Sequence, residues 1–363
     1  MLYFMKHFCE VRRNFDVIKI SYKLRNNITI QALYLCLCIS GLMLIGNPNL
    51  AAKGHEKFKV AMLLPGSISD AGWNALAYEG LKAIEEQLGA EISHAETRTP
   101  TDQEEQFRAY ALDGYNIVFG HGYEFQDPAK AVAPDFPETI FITSSGGTIT
   151  DNISPANFRV EQAAYLLGVI AGMMTNTNKL GVMGGQNIPS VNSTFMAFEG
   201  GAKSVNPKAE VSRVYVGNWE DIGKGKELSL AQINEGVDFL FPNADAAGLG
   251  AYEAAEAAQK QGKTVYAFGA NRDKSDISPE VVIANAVITP NAFVQIAKII
   301  KEGEFKPQIY TFNMLTDEAI TLTYNPVLKD KVPEDVQKAV EAAKAKILAG
   351  ELKVPQIDFS EEE

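Results

Sequence analysis

The chain has 363 residues, which is long for one compact core, so its length predicts two domains. Charged residues make up 21% and hydrophobic residues 46%, as in a folded protein rather than a disordered one. The formal net charge of −12 argues against a nucleic-acid-binding protein, which would need a basic surface, and it fits a protein kept monomeric by charge repulsion.

The first predicted element is a strongly apolar run from Ile28 to Gly46, which follows a basic stretch and precedes the small residues Ala51 and Ala52. This order is typical of a secretory signal peptide with a cleavage site. The run is also just long enough to cross a bilayer as an uncleaved anchor. We therefore predict that residues 1–52 are a signal peptide or an N-terminal anchor. The body of the protein is then periplasmic or extracellular.

All three cysteines, Cys9, Cys36 and Cys38, precede residue 53, so the body holds neither a disulfide framework nor a cysteine metal site. Cys36 and Cys38 lie inside the apolar run without the small residues that a lipobox places before its cysteine. This context argues against a lipid-modified form. No metal or cofactor is expected.

Beyond residue 57, short apolar runs alternate with segments of helical periodicity. Phe58–Leu64 is continuously apolar, as in a strand buried on both faces, and a helical period follows from Leu76 to Leu88. Strand alternating with helix occurs in both halves of the chain, which predicts an α/β protein with two doubly wound parallel sheets. Further strands are predicted at Asn116–Gly122, Thr139–Gly147, Lys179–Gly185, Glu210–Gly217, Val237–Asp245, Thr264–Asn271 and Val281–Thr289.

The loops after these strands collect aromatic and polar side chains. In open α/β sheets, ligands bind outside the carboxyl ends of the strands. The two tryptophans of the chain, Trp73 and Trp219, both follow predicted strands, one in each half. If the two lobes face each other, the two tryptophans would stack on opposite faces of a flat ligand ring. We favour this interpretation over the alternative, in which each tryptophan packs as a half-buried lid.

Several segments carry a family resemblance in combination. They include "GWNALAYEGLKAIEEQLG", "FRVEQAAYLLGVIAGMM", "VYVGNWEDIGKGKEL" and "YAFGANRDKSD". Together they resemble the basic membrane protein (BMP) family of substrate-binding proteins, which feed bacterial ABC transporters and are associated with purine nucleosides or bases. The resemblance covers about Phe58 to Tyr310 and implies a type I periplasmic-binding fold that closes on its ligand. It implies a lobe I of residues 58–158 plus about 289–308, and a lobe II of residues 159–288 plus about 309–355.

The resemblance also assigns site residues. "SDAGWN" resembles the first-lobe binding loop of the family, which implies that Asp70, Trp73 and Asn74 lie near the ligand. "GNWED" resembles the segment that supplies the opposing aromatic side chain, here Trp219. The predicted site therefore combines two stacking tryptophans with polar residues that read the ligand and aromatic residues that wall the pocket. The further polar residues are Asp245, Asn192, Asn271, Ser144 and Ser145, and the wall residues are Tyr123, Phe125 and Phe195.

Three positions bear on which purine is bound. Asp245 stands in a loop where the family often has alanine and paired glycines. Where nucleoside-binding members carry an aspartate and a lysine suited to ribose hydroxyls, this chain has Asn271 and Ile288. These departures favour a free base. Asp245 would accept hydrogen bonds from N–H groups, which both adenine and guanine offer. Asp245 also suits the N-cap of the following helix, and the two roles are compatible.

Enzyme signatures are weak. "GLGAYE" (Gly248–Glu253) resembles a dinucleotide fingerprint, but Glu253 stands where the third glycine belongs. His121 is the one candidate for proton transfer, although a ligand hydrogen bond or a solvated loop position is the expected role. Asp70 and Asp245 would suit the paired carboxylates of a glycoside-cleaving enzyme. Ligand binding explains these carboxylates and the nearby tryptophans more simply than catalysis does.

We therefore predict a solute-binding protein, not an enzyme, that captures a purine base or nucleoside and delivers it to an ABC permease. The first alternative is a ligand-sensing partner of a membrane receptor that uses the same cleft. The second is a nucleoside hydrolase.

Overall fold

The computed structural model describes residues 57–315 and 318–357. The predicted signal peptide or anchor, residues 1–52, lies outside these ranges. Within them, no helix combines the length and the apolar character that crossing a membrane requires.

Strands and helices alternate along most of the described chain. The strands are β1 (Lys59–Leu64), β2 (Glu91–Glu96), β3 (Ile117–Gly120), β4 (Ile140–Ser144), β5 (Ile153–Phe158), β6 (Lys179–Gly184), β7 (Glu210–Tyr215), β8 (Phe239–Asn243), β9 (Tyr266–Asn271), β10 (Val282–Ile288), β11 (Tyr310–Phe312) and β12 (Ile320–Tyr324). The α-helices are α1 (Trp73–Leu88), α2 (Pro100–Leu112), α3 (Gln126–Val132), α4 (Glu161–Met174), α5 (Pro189–Val205), α6 (Ile222–Asn234), α7 (Asp245–Lys260), α8 (Asn291–Lys301) and α9 (Glu334–Leu348).

The strands form two six-stranded sheets, one in each lobe. The first has the order β11-β5-β4-β3-β1-β2 and is parallel throughout. The second has the order β12-β10-β9-β8-β6-β7, and its strands are parallel except that β12 runs antiparallel to β10. The interior of each sheet is built from apolar runs such as Val60–Leu64, which is fully buried. Helices cover both faces of such sheets, which explains the continuous apolar pattern.

The chain passes between the lobes three times. It leaves the first sheet after β5, returns after β10 into α8, and crosses again between β11 and β12. This topology confirms the predicted type I periplasmic-binding fold. β11 pairs with β5 in the first sheet, although the expected boundary near residue 308 assigned Tyr310–Phe312 to lobe II.

Two glycines let α4 and α5 pack in close contact. A Cβ atom at Gly168 would lie 2.0 Å from the carbonyl oxygen of Phe198, and one at Gly201 would lie 2.0 Å from that of Tyr165. Because larger residues cannot occupy either position, this helix pair is fixed at backbone contact. The pair forms the part of lobe II next to the first crossover.

Candidate functional site: a cleft between the lobes

A cavity of about 840 Å³ lies where the carboxyl ends of both sheets meet. This volume is in the range of pockets that bind small molecules. The loops after β1, β3 and β4 line it from the first lobe, and the loops after β6, β7 and β8 together with the end of β9 line it from the second. The first crossover adds Phe158, Val160 and Glu161, and the end of β10 adds Ile288.

Trp73, the first residue of α1, is held from two sides. Its ring stacks on the His121 imidazole with centroids 4.0 Å apart and planes 21° from parallel. Its Nε1–H donates to the carbonyl oxygen of His121 at 3.1 Å. The Phe158 ring meets it edge-on at 6.2 Å. No other ring stacks on Trp73 in the described part of the chain, so one face remains for a planar ligand.

His121 is a structural residue, not the solvated or ligand-contacting histidine that the sequence predicted. It is fully buried and does not line the cavity. Its Nε2 lies 3.0 Å from the Trp73 carbonyl oxygen, which only accepts, so Nε2 carries the proton. Its Nδ1 then accepts from the Ser144 hydroxyl at 2.8 Å. Burial lowers the pKa of His121 to about 3, so the ring is neutral at physiological pH.

Trp219 lines the cavity from the second lobe, in the loop after β7. Its ring lies against the backbone of Gly185, where a Cβ atom would come within 2.1 Å of the indole carbon Cε3. Its carbonyl oxygen accepts a hydrogen bond from the Ala247 amide at 2.9 Å. The cleft thus holds one tryptophan from each lobe.

Asp70 organises the first turn of α1. Its Oδ1 accepts from the amides of Gly72 and Ala75 at 2.8 and 3.0 Å. Its Oδ2 accepts from the amide and the side-chain Nδ2 of Asn74 at 2.9 and 2.8 Å. These four bonds occupy the carboxylate, so Asp70 positions the loop. The Oδ1 of Asn74 is buried without a hydrogen-bond partner among the described residues, and Asn74 lines the cavity.

Asp245 begins α7 with a left-handed backbone (φ 48°), and its carboxylate crosses the cleft. Oδ1 accepts the Trp73 amide of α1 at 3.0 Å, so Asp245 contributes to capping the helix of the opposite lobe. A Cβ atom at Gly72 would lie 2.3 Å from this oxygen, which explains the glycine there. Burial, and secondarily the nearby charge of Asp70, raise the pKa of Asp245 far above its usual value.

Lys274 is a buried cation that sequence reasoning missed. It is 4% exposed, and burial lowers its pKa while the carboxylate of Asp245 acts in the opposite direction. Its side chain passes over Gly269, where a Cβ atom would lie 2.8 Å from Lys274 Cγ. The segment "ANRDKSD" was predicted to supply Asn271 to the site, but only the fold reveals that Lys274 is buried and that its charge acts on Asp245.

Amide side chains form the second-lobe floor of the cleft. Asn271, also with a left-handed backbone (φ 65°), donates from Nδ2 to Asn243 Oδ1 at 3.2 Å. Asn243 in turn donates to Thr194 Oγ1 at 3.2 Å. All three line the cavity. Asn243 and Thr194 were not predicted, although Asn243 ends the strand that leads to Asp245.

Further contacts join the lobes at the rim of the cleft. The Arg272 guanidinium of the second lobe pairs with the Glu79 carboxylate on α1. Arg98 approaches Glu220 at 3.9 Å, with both side chains mostly exposed. Exposed pairs of this kind contribute about 0–1 kcal/mol each, so the partly buried Arg272 pair is the more important of the two.

Most of the predicted site residues meet in this cleft, but not all of them. Phe125 and Phe195 are fully buried in the cores, where they pack against Phe107 and Phe241 respectively, and so do not wall the pocket. Asn192 bonds to Asn187 and Tyr215, and Ser144 bonds to His121, both away from the cavity lining. The predicted residues that line the cavity are Asp70, Trp73, Asn74, Tyr123, Ser145, Trp219, Asp245 and Asn271.

The charged side chains that line the cavity are all acidic. Its lining residues include five acidic side chains and, within the described chain, no lysine, arginine or histidine. Such a surface disfavours anionic ligands and offers acceptors to N–H and O–H groups. The acidic residues are Asp70, Glu124, Glu161, Glu220 and Asp245.

Comparison with known proteins agrees with the fold and the cleft. A family model described as "ABC transporter substrate-binding protein PnrA-like" (Bmp) matches residues 57–358. A protein of Brucella abortus named as a purine-binding protein is 28% identical over 318 residues, which span 86% of each chain. An ABC transporter solute-binding protein from Aeropyrum pernix superposes with a TM-score of 0.75 at 22% identity, covering 83% of this chain and 94% of its own. A solute-binding protein from Conexibacter woesei gives a TM-score of 0.69 at 28% identity, covering 82% and 99%.

Proposed function

The chain belongs to the PnrA-like (Bmp) family of ABC transporter substrate-binding proteins, and we propose that it captures a purine base, or a purine nucleoside, and delivers it to an ABC permease. The observation that supports this proposal is the cleft, which has a tryptophan from each lobe and whose polar lining side chains are all acidic or neutral. The Brucella relative, named for purine binding, adds support.

The two tryptophans account for a large part of the required affinity. A base stacked on an aromatic side chain gains about 1–3 kcal/mol per contact. Two such contacts approach half of the ~8 kcal/mol that a micromolar dissociation constant represents. Trp73 is the better anchored of the two, because both its ring nitrogen and its carbonyl oxygen are bonded to His121.

Polar groups in the cleft favour a ligand rich in N–H donors. The carboxylate of Asp245 and the unpaired Oδ1 of Asn74 are acceptors, so we propose that they read the N–H edges of the base. Ile288 supports a free base over a nucleoside, since it lines the cavity with an apolar side chain where the family resemblance expects a lysine. A phosphorylated purine would meet five acidic residues.

We further propose that the protein binds without converting its ligand. His121 is neutral, buried and bonded at both ring nitrogens, which removes the strongest candidate for a general base from the cleft. Substrate-binding proteins of ABC transporters act outside the cytoplasm. Residues 1–52 would serve export or anchoring there, and the acidic body would act as a monomer.

Tryptophan fluorescence tests the proposal, since Trp73 and Trp219 are the two tryptophans of the chain. The purified protein is unfolded and refolded to remove any retained ligand, and then titrated with adenine, guanine, hypoxanthine, adenosine and guanosine. We expect quenching at micromolar concentrations, with a free base binding more tightly than its nucleoside. No response to any purine contradicts the proposal. Release of free base from a nucleoside, followed by chromatography, would instead indicate a hydrolase.

A further inference from the structure

Glu161 is a buried carboxylate at the end of the first crossover, where α4 begins. It is 3% exposed and lines the cavity together with Phe158 and Val160. Phe158 meets the Trp73 ring edge-on at 6.2 Å, so this segment borders the surface on which a base would stack. Asp245 borders the same tryptophan through its amide.

One oxygen of Glu161 is satisfied and the other is not. Oε1 accepts from the Ser193 hydroxyl at 2.9 Å. Oε2 is buried without a hydrogen-bond partner among the residues that the structure describes. Arg159 Nε, which is also buried without a hydrogen-bond partner among the described residues, lies 3.6 Å from Oε2, close enough for an ion pair but too far for a normal hydrogen bond. Leaving a buried acceptor unpaired is costly, so such an atom in a native protein calls for an explanation.

The position of Glu161 is fixed before any ligand arrives. Ser193 Oγ, which donates to Glu161, also accepts from the Ile357 amide at 3.2 Å, so the serine is held from both sides. Glu161 is the first residue of α4, where the helix dipole favours a negative charge, although burial raises the pKa of Glu161 and the nearby charge of Arg159 only partly offsets this. The unpaired Oε2 is therefore an ordered acceptor rather than a mobile one.

We propose that Glu161 is a second ligand-reading carboxylate, whose Oε2 accepts a hydrogen bond from the bound purine. The donor is either the imidazole-ring N–H of a free base or a ribose hydroxyl of a nucleoside. This inference rests on the proposed function and deepens it. The cleft then reads the ligand with two carboxylates from different elements, Asp245 on α7 and Glu161 on α4.

The substitution Glu161→Gln tests the inference. Glutamine keeps the shape and an oxygen for Ser193, but it replaces the free acceptor with an N–H donor that opposes the donor on the ligand. Dissociation constants are measured by calorimetry for adenine or guanine, whichever binds wild type more tightly, for its 9-methyl derivative and for its nucleoside. Glu253→Gln, on the exposed side of α7 in the same lobe, is the matched control. Urea unfolding verifies that both variants fold.

We expect Glu161→Gln to weaken binding by at least about 10-fold, as for loss of a hydrogen bond to a charged group, while Glu253→Gln changes it by less than about two-fold. A loss for the free base that spares the 9-methyl derivative identifies the ring N–H as the donor. A loss for the nucleoside that spares the 9-methyl derivative identifies a ribose hydroxyl.

Two results overturn the inference while purine binding stands. One is unchanged binding of all three ligands. The other is an equal loss for all three, the 9-methyl derivative included, because that reports a change in the shape of the cleft. If wild type binds none of them, the proposed function fails, and this inference fails with it.

Discussion

The backbone amide of Trp73 donates a 3.0 Å hydrogen bond to Oδ1 of Asp245, across the cleft from one lobe to the other. The bond joins the first residue of α1 to the first residue of α7. The same carboxylate is the acceptor that we propose for the ligand. Under this proposal, one group both binds the purine and holds the lobes together.

Replacing Asp245 with asparagine separates these two roles. Asparagine keeps an oxygen for the Trp73 amide but presents N–H groups to a ligand that is itself a donor. We expect purine affinity to fall by about 10- to 100-fold, as for loss of a hydrogen bond to a charged group. Calorimetry against wild type measures this, with Asp135→Asn, an exposed first-lobe residue, as control. Unchanged affinity would remove Asp245 from the proposed site.

The difference in stability between Asp245→Asn and wild type should depend on pH. Because burial raises the pKa of Asp245 in the folded state, the charged carboxylate destabilises the wild-type fold at high pH, and this penalty disappears as pH falls. We expect the variant to be the more stable protein near pH 8. The extra stability of the variant should become smaller toward pH 5. Urea unfolding of both proteins at the two pH values measures this difference. A difference that does not change with pH contradicts the assignment.

The low pKa of His121 in the folded state predicts that the protein loses stability in acid. Its folded pKa of about 3 lies below the ordinary value of 6.5, so the unfolded state binds more protons between these limits. Above pH 6.5, His121 does not lower the free energy of unfolding. As pH drops from 6.5 toward 3, protonation of this histidine in the unfolded state lowers that free energy by about 1.4 kcal/mol per pH unit. Urea unfolding at pH 7 and pH 5 should show about 2 kcal/mol less stability from this group at pH 5. The variant His121→Gln should lose that part of the pH dependence.

Trp219 provides a test of stacking from the second lobe. Trp219→Ala should weaken purine binding by about 5- to 150-fold, which corresponds to the 1–3 kcal/mol of one base–aromatic contact. Trp219→Phe retains a ring and should lose less. In either variant Trp73 is the remaining tryptophan, so quenching of its fluorescence reports binding at that residue alone. Equal affinities for the alanine and phenylalanine variants would argue against stacking.

Gly185 should affect binding only through Trp219. A methyl group at Gly185 overlaps the indole, so Gly185→Ala displaces the ring and should reduce affinity by about 10-fold or more. Gly248→Ala is the matched control, because its new Cβ would lie 3.5 Å from the nearest atom, Pro242 Cβ, an ordinary contact. That control should bind normally and gain up to about 1 kcal/mol from better helix propensity. Normal binding by Gly185→Ala would place the ligand away from Trp219.

The parts of the fold that were predicted from sequence are those with a strong apolar pattern. β1 and β8 are buried on both faces and show as continuous apolar runs. β2 was missed because Glu91–Glu96 is an edge strand of mostly polar residues that pairs only with β1. β5 was missed as well, and its Pro155 is unusual inside a sheet.

The part of the site that could be predicted consists of residues in the loops that follow the strands, since these loops lie at the ligand-binding edge of a parallel sheet. The two tryptophans, Asp245 and Asn271 all line the cleft, and their contact with a ligand stays a prediction. An aromatic residue near a strand end does not reveal whether it faces the core or the cleft, and Phe125 faces the core. Glu161 and Lys274 were missed for a different reason, since charged residues next to helices and loops are usually solvated.

The two hydrogen bonds between Trp73 and His121 reduce the conformational entropy that the Trp73 side chain could lose on ligand binding. An interface side chain that must be immobilised on binding costs about 0.5–1.5 kcal/mol of conformational entropy. Trp73 is already stacked, bonded at Nε1 and bonded at its carbonyl oxygen, so its ring has little rotational freedom left to lose. In the proposed site, a neutral histidine buried inside the first lobe would thus contribute to affinity without touching the ligand, because it orders the stacking surface before binding.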